Sequence, residues 1–435
     1  MGILAGWLSV RHKMSCGSGI PQVKAIIFGY LKDRWRSTLF AKFIGGVLAI
    51  AAGLSLGREG PAVQIGACVA QGAGGLMTKS RTERKILIAA GASAGLAAAF
   101  NAPLAGVIFV FEEIFRYMSP VILLSTTVAT VMATYVGIIF IDWWPVFPLQ
   151  VTGLLPRWSY WLLIVIGVLT GLTGAFYNRA LLAVNAAYGK LWTSKRANIF
   201  KPVPIFLISV LVGLAFPLAI CGGRLIVGEL NVAHGLMFLF ALFAIKFAFS
   251  IVSFAAGVPG GIFFPLLVLG SIMGSFIGKI AVTHGGMNGE FLVNFMILGM
   301  AGLFTATVRA PITGIILLTE MIGSFNHLLP LTVVSIVSYM VANAVGARPI
   351  YDSLLENMLG GGRSGIHASN RRMLIDVVVR LGAPAEGCGI KDLELPHQCL
   401  ILAIKRNGKD VTPHGDTRIC ANDFLTVLCD SAAEA

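Results

Sequence analysis

The chain is poor in charge. Of 435 residues only 12% are Asp, Glu, Lys or Arg, against 56% hydrophobic, and the mean hydropathy is +0.83. A soluble fold cannot cover itself with so few ionised groups, so the composition is that of a polytopic membrane protein. Acids are scarcer still, 20 against 33 basic residues, which gives a net charge of +13. Cysteine is sparse: Cys16, Cys68, Cys221, Cys388, Cys399, Cys420 and Cys429 show no Cys-x-x-Cys spacing, and the histidines are scattered. These thiols read as small buried hydrophobes in a reducing compartment, with no metal, cofactor or disulfide implied. No nucleophile-base arrangement or metal-ligand spacing appears, which argues against an enzyme. No basic run is interleaved with aromatics, which argues against nucleic acid.

What charge there is marks a boundary. Residues 371–435 hold 8 basic and 9 acidic residues, so the whole positive excess lies before them. Two domains are expected, a transmembrane one over 1–365 and a cytosolic one over 371–435. In the first, short basic runs such as "KDRWR" (32–36), "KSRTERK" (79–85) and "SKRAN" (194–198) separate apolar stretches, as cationic loops do beside an anionic bilayer face.

Uninterrupted spans are also in short supply. A membrane-crossing helix needs about 20 apolar residues, and candidates at 121–140, 160–184, 203–221 and 236–254 approach this. They are interspersed with shorter Gly- and Pro-broken pieces at 61–76, 103–113, 265–281 and 311–321. Irregular backbone at membrane depth is tolerated only inside protein or along a cavity, so the breaks are expected to mark a pathway.

The chain repeats itself. "APLAGVIFVFEE" (102–113) matches "APITGIILLTEM" (310–321), pairing Glu112 with Glu320. "GREGPAVQIG" (57–66) and "GGIFFPLLVLG" (260–270) pair Pro61 with Pro265, Gly66 with Gly270 and Glu59 with Phe263. Two related halves follow. Each motif sets Gly before a Pro that opens a helix: "GSGIP" (17–21), "GREGP" (57–61) and "GIFFP" (261–265). Pro in the first turn costs no hydrogen bond, and the exposed amides carry roughly half a positive charge. Such termini suit a small anion held without a full counter-charge, the alternative being that Gly and Pro only pack and kink. A local salt bridge to Arg58 is the structural reading of Glu59.

Taken together, "GSGIP", "GREGP", "GLAAAFNAPLAGVIFVFEE", "GVPGGIFFP" and "RAPITGIILLTEM" resemble the CLC family of chloride channels and proton-coupled chloride antiporters, over about 17–360. The resemblance implies an all-α inverted-repeat bundle with broken helices and a homodimer with one pathway per subunit. It also implies chloride and protons as the species moved. Ser18 would bind the central chloride with the amides of Ile262 and Phe263, and Tyr351 would close its inner side. Glu59 would be the gating glutamate. Glu113 would relay protons, which favours exchange over the alternative, a passive voltage- or pH-gated channel; a helix end reaching water is the bland reading of Glu112 and Glu113. Departures are Gln22, where an acid is common, and the short stretch before "GSGIP", which suggests a shortened member or a start further upstream.

The tail alternates β-rich runs, "LIDVVV", "QCLILAIKRNGKDV" and "DFLTVLCD", around the hairpin signal Asn407-Gly408. It resembles the TrkA-C subdomain of potassium-conductance regulators, which implies a small α/β cytosolic module that binds a small molecule, dimerises or serves structure alone. The expected location is the cell membrane, with the tail in the cytosol.

Overall fold

The computed structural model describes residues 1–141, 147, 149, 153, 155–194, 196–231, 234–359, 372–379, 382–393, 395, 399–406, 409–421 and 423–430. The chain divides into two compact units, Met1–Leu355 and Glu356–Ala435.

Among the described residues of the first unit, six helices are long and apolar enough to cross a membrane, among them Pro120–Phe140, Leu236–Ala255 and Phe263–Gly285. Leu124, Ile139 and Phe140 on the first of these are largely exposed, as lipid-facing side chains are. The segment 265–281, expected as a short broken piece, belongs to a continuous helix of 23 residues, and 61–76 belongs to Glu59–Met77, of 19. The reason is position. Pro61 and Pro265 each stand in the first turn, where their missing N–H has no intrahelical partner to lose. By contrast, the 203–221 candidate stops as a helix at Ala215, ahead of Pro217. Short helices do occur, at Ile20–Ile27, Pro103–Phe109 and Pro311–Ile322.

Contacts between the halves are reciprocal. Gly57 N–H donates to the Gly261 carbonyl at 2.7 Å, and Gly261 N–H returns the bond to Gly57 at 2.8 Å. Glu112 accepts from the amides of Ile312 and Thr313 at 3.1 and 2.7 Å, while its repeat mate Glu320 accepts from Leu104 and Ala105 at 2.9 and 2.8 Å. When residue i meets j and the mate of i meets the mate of j, a two-fold rotation relates the partners. Inside each half the main crossing rests on glycine. A Cβ on Gly66 would fall 2.1 Å from the Gly91 carbonyl oxygen, and one on Gly270 would fall 2.4 Å from that of Gly299. Backbones thus approach as small-residue membrane interfaces allow.

Among its described residues the second unit carries four strands: β1 Arg372–Val378, β2 Leu400–Arg406, β3 Lys409–Val411 and β4 Phe424–Asp430. They form one antiparallel sheet in the order β1-β4-β2-β3. Arg406 faces Lys409 across the β2–β3 pair, the register of a two-residue turn; Asn407 and Gly408 themselves lie outside the described residues. Val379, Ile401, Ile404, Ile419 and Leu425 form the unit's apolar cluster.

Candidate anion pathway

The site begins at Ser18, between two glycines with positive φ, Gly17 at 63° and Gly19 at 101°. Left-handed backbone at both places costs a β-carbon-bearing residue free energy that glycine avoids, and the tight loop delivers the chain into helix Ile20–Ile27. Three buried side chains hold the loop. Gln22 Nε2 donates to the Cys16 carbonyl at 2.6 Å, and Lys42 Nζ donates to the carbonyls of Ser15 at 3.0 Å and Gly17 at 2.7 Å. Gln64 Nε2 donates to Met14 O at 2.7 Å. Ser18 itself rests against Gly60, where a Cβ would fall 2.7 Å from the Ser18 hydroxyl.

Glu59 is the first residue of its helix and is fully buried. Its Oε1 accepts from the amides of Phe263 at 2.9 Å and Phe264 at 3.2 Å, the first two residues of the repeat-mate helix. An acid at one helix start therefore sits on the positive end of the other. Its second oxygen, Oε2, is buried and has no hydrogen-bond partner. Arg58 does not pair with it: the guanidinium donates to the Ala99 carbonyl at 3.0 Å. Arg58 and Arg224 line a cavity of about 290 Å³ beside Gly57, with Leu56, Gly223 and Phe264, a cationic mouth next to the glutamate.

Tyr351, in the first turn of helix Ile350–Met358, is fully buried, and its hydroxyl faces that of Ser18. Neither hydroxyl has a hydrogen-bond partner. Each buried polar group left so costs about 1–3 kcal/mol, a cost that a small anion accepting from both would remove. Ile262, the N-cap of helix Phe263–Gly285, is also buried. The Phe263 amide, which the resemblance assigns to the central anion, donates to Glu59 here, with Phe264 beside it.

Glu113 lies on a π-helical turn, Val110–Phe115, and is buried. Lys24 Nζ donates to its Oε1 at 2.9 Å. Its neighbour Glu112 faces the amides of Ile312 and Thr313, so neither acid is a helix end reaching for water. Sequence reading missed Lys42, Lys24, Phe264 and Asp352. For Lys42 the repeat carried a signal: Lys246, its mate at the same offset that relates Glu59 to Phe263, donates to the carbonyls of Ala219 and Cys221 at 2.9 and 2.6 Å. The two carbonyl pairs are related by that offset as well.

Converging helix starts, paired hydroxyls and buried acids inside an apolar bundle define a multi-pass membrane protein with an anion-accepting pathway. The sequence profile described as voltage gated chloride channel matches residues 1–343, and that of the TrkA-C domain matches residues 374–435. The chain belongs to the voltage gated chloride channel family. It is similar to the H(+)/Cl(-) exchange transporter ClcA of Vibrio cholerae serotype O1, at 35% identity over 369 residues, 79% of this chain and 75% of that one. With ClcA of Klebsiella pneumoniae (strain 342) it shares 32% over 366 residues, 82% and 77% of the two chains. The solved structure of a slow cyanobacterial Cl-/H+ antiporter superposes with a TM-score of 0.76 at 33% identity, covering 83% of this chain and 86% of that one.

Proposed function

We propose that this protein exchanges chloride for protons across the cell membrane, as a homodimer with one pathway per subunit. The observation that carries the reading is the Glu59 carboxylate seated on the amides of Phe263 and Phe264. A carboxylate there occupies the place of an anion, and a proton on it removes the charge that holds it, so one group couples proton uptake to chloride access. Chloride would then be bound by Ser18 and Tyr351 with the amides of Ile262 and Phe263. Glu113, buried apart from this locus and paired with Lys24, supplies the second proton station that a passive channel does not need. Residues 1–365 form the transport domain in this reading. Residues 371–435 form a cytosolic regulatory domain that takes a small molecule.

The test is flux in liposomes, with chloride and protons recorded together. An imposed chloride gradient drives protons uphill in the wild type. Glu59→Gln and Glu113→Gln both carry chloride without driving protons. Chloride flux through Glu113→Gln keeps a pH dependence because Glu59 still titrates, whereas Glu59→Gln largely loses it. A wild type that conducts chloride but moves no protons uphill is a channel, and the proposal fails.

A further inference from the structure

Three segments meet at Glu113 and bring more charge than one relay carboxyl requires. Lys24, from helix Ile20–Ile27, donates to Glu113 Oε1 at 2.9 Å and to Asp352 Oδ1 at 2.6 Å. Asp352, next to Tyr351 on helix Ile350–Met358, receives Arg116 Nη2 on its other oxygen at 2.5 Å. Side-chain exposure is 4% for Lys24, 2% for Glu113 and 13% for Asp352, so protein and not water compensates these charges. Among the described residues, the further titratable groups facing the cluster are Tyr351 and, through Arg116, Tyr339. Two cations and two carboxylates sum to zero.

We propose that Lys24 and Asp352 are positioning residues of the proton relay: Lys24 holds the Glu113 carboxylate, and Asp352 keeps Lys24 compensated when Glu113 takes up its proton. The inference rests on reading Glu113 as the relay carboxyl. With Glu113 as its sole partner, Lys24 would become an isolated buried charge at each protonation, an arrangement that a dry interior strongly disfavours. Asp352 removes that obstacle. In the protonated step the proton resides on the Glu113 carboxyl, Lys24 keeps its three protons, and Asp352 stays ionised between Lys24 and Arg116. The network also spans the Ser18 helix and the Tyr351 helix, so it fixes the relay relative to both walls of the anion locus.

The two partners act in opposite senses, which makes the inference testable by sign. Without Lys24, two carboxylates share one dry pocket and Glu113 holds its proton to higher pH. Without the Asp352 charge, Lys24 serves Glu113 alone and the carboxylate persists to lower pH. The readout is the infrared band of the protonated Glu113 carboxyl, identified by its loss in Glu113→Gln and titrated in the full-length protein in lipid bilayers. The band's midpoint moves up by about one pH unit or more in Lys24→Met and down by a similar amount in Asp352→Asn; Lys24→Arg restores it towards the wild type. Unmoved midpoints, shifts of the same sign, or a Lys24→Arg shift as large as that of Lys24→Met overturn the inference. Should Lys24→Met fail to fold, the direction in Asp352→Asn decides alone. Proton flux in the same preparation separates the two questions: opposed band shifts without uphill proton movement overturn the exchange reading while supporting the roles of Lys24 and Asp352.

Discussion

Ser18 and Glu59 illustrate how little covalent difference decides the chemistry here. One oxygen of Glu59 is committed to two amides and the other has no partner, while the Ser18 and Tyr351 hydroxyls face each other unbonded. If these residues line the proposed pathway, the described residues present hydrogen-bond donors and no fixed cation at this point, and selectivity would follow from how well those donors replace an anion's water. Ser18→Pro removes the hydroxyl from a loop already shaped by Gly17 and Gly19. The expected outcome is a several-fold fall in chloride uptake relative to nitrate, which is less strongly hydrated, measured in liposomes under equal gradients. An unchanged ratio would take Ser18 out of the pathway.

At the scale of elements, the helix starts aim correctly only if the two long crossings stay close. The Gly66–Gly91 and Gly270–Gly299 contacts set that distance, and in both the atoms in the way of a Cβ are backbone, which cannot swing aside. Gly270→Ala and Gly66→Ala are each expected to destabilise the protein by at least about 1–3 kcal/mol, seen as a lower melting temperature in detergent. Gly75 is the control, on the same helix as Gly66 but with open space where its Cβ would go. Gly75→Ala should be neutral or stabilising by up to about 1 kcal/mol. Equal losses at all three positions would mean that helix approach is not what these glycines provide. The π-helical turn Val110–Phe115 also sets direction. It ends at Arg116, whose φ is 62°, and it carries two consecutive acids that serve different partners.

For the molecule as a whole, the C-terminal unit carries a pH signature of its own. Asp423 is buried and receives Arg406 Nε and Nη2, both at 2.8 Å, and the Cys420 amide at 2.8 Å. The Arg406 hydrogen bonds, aided by that amide, hold its carboxyl below the ordinary Asp range. A depressed value in the folded state means that the carboxylate adds stability above the unfolded value of about 3.9, and that this is lost as pH falls through the folded value. The protection factors of the β2 and β4 amides in the full-length protein, taken relative to intrinsic exchange at each pH, should therefore fall on acidification below about pH 4. Asp423→Asn should exchange faster at neutral pH and lose most of the acid response. Retention of the full acid response in that variant would place its origin elsewhere.

The amino-acid sequence by itself determined the membrane class, the presence of a distinct C-terminal unit, the two-fold repeat and the helix starts, whereas the compact units divide between Leu355 and Glu356. These depend on composition, on local backbone chemistry and on the order of short motifs, all of which are written along the chain. Glu59 could be singled out because an acid beside a glycine and a first-turn proline is anomalous in apolar sequence, and the tail's strands because their apolar runs are bracketed by turn residues. Only the tertiary structure decided what each buried charge faces. Glu112 and Glu113 are adjacent and chemically identical, yet one caps a helix of the other half and the other meets Lys24. Lys24 and Asp352 lie 328 residues apart, and no local pattern joins them. A buried ion takes whichever counter-charge packing brings within about 4 Å, since the low dielectric there makes that one contact outweigh every preference along the chain.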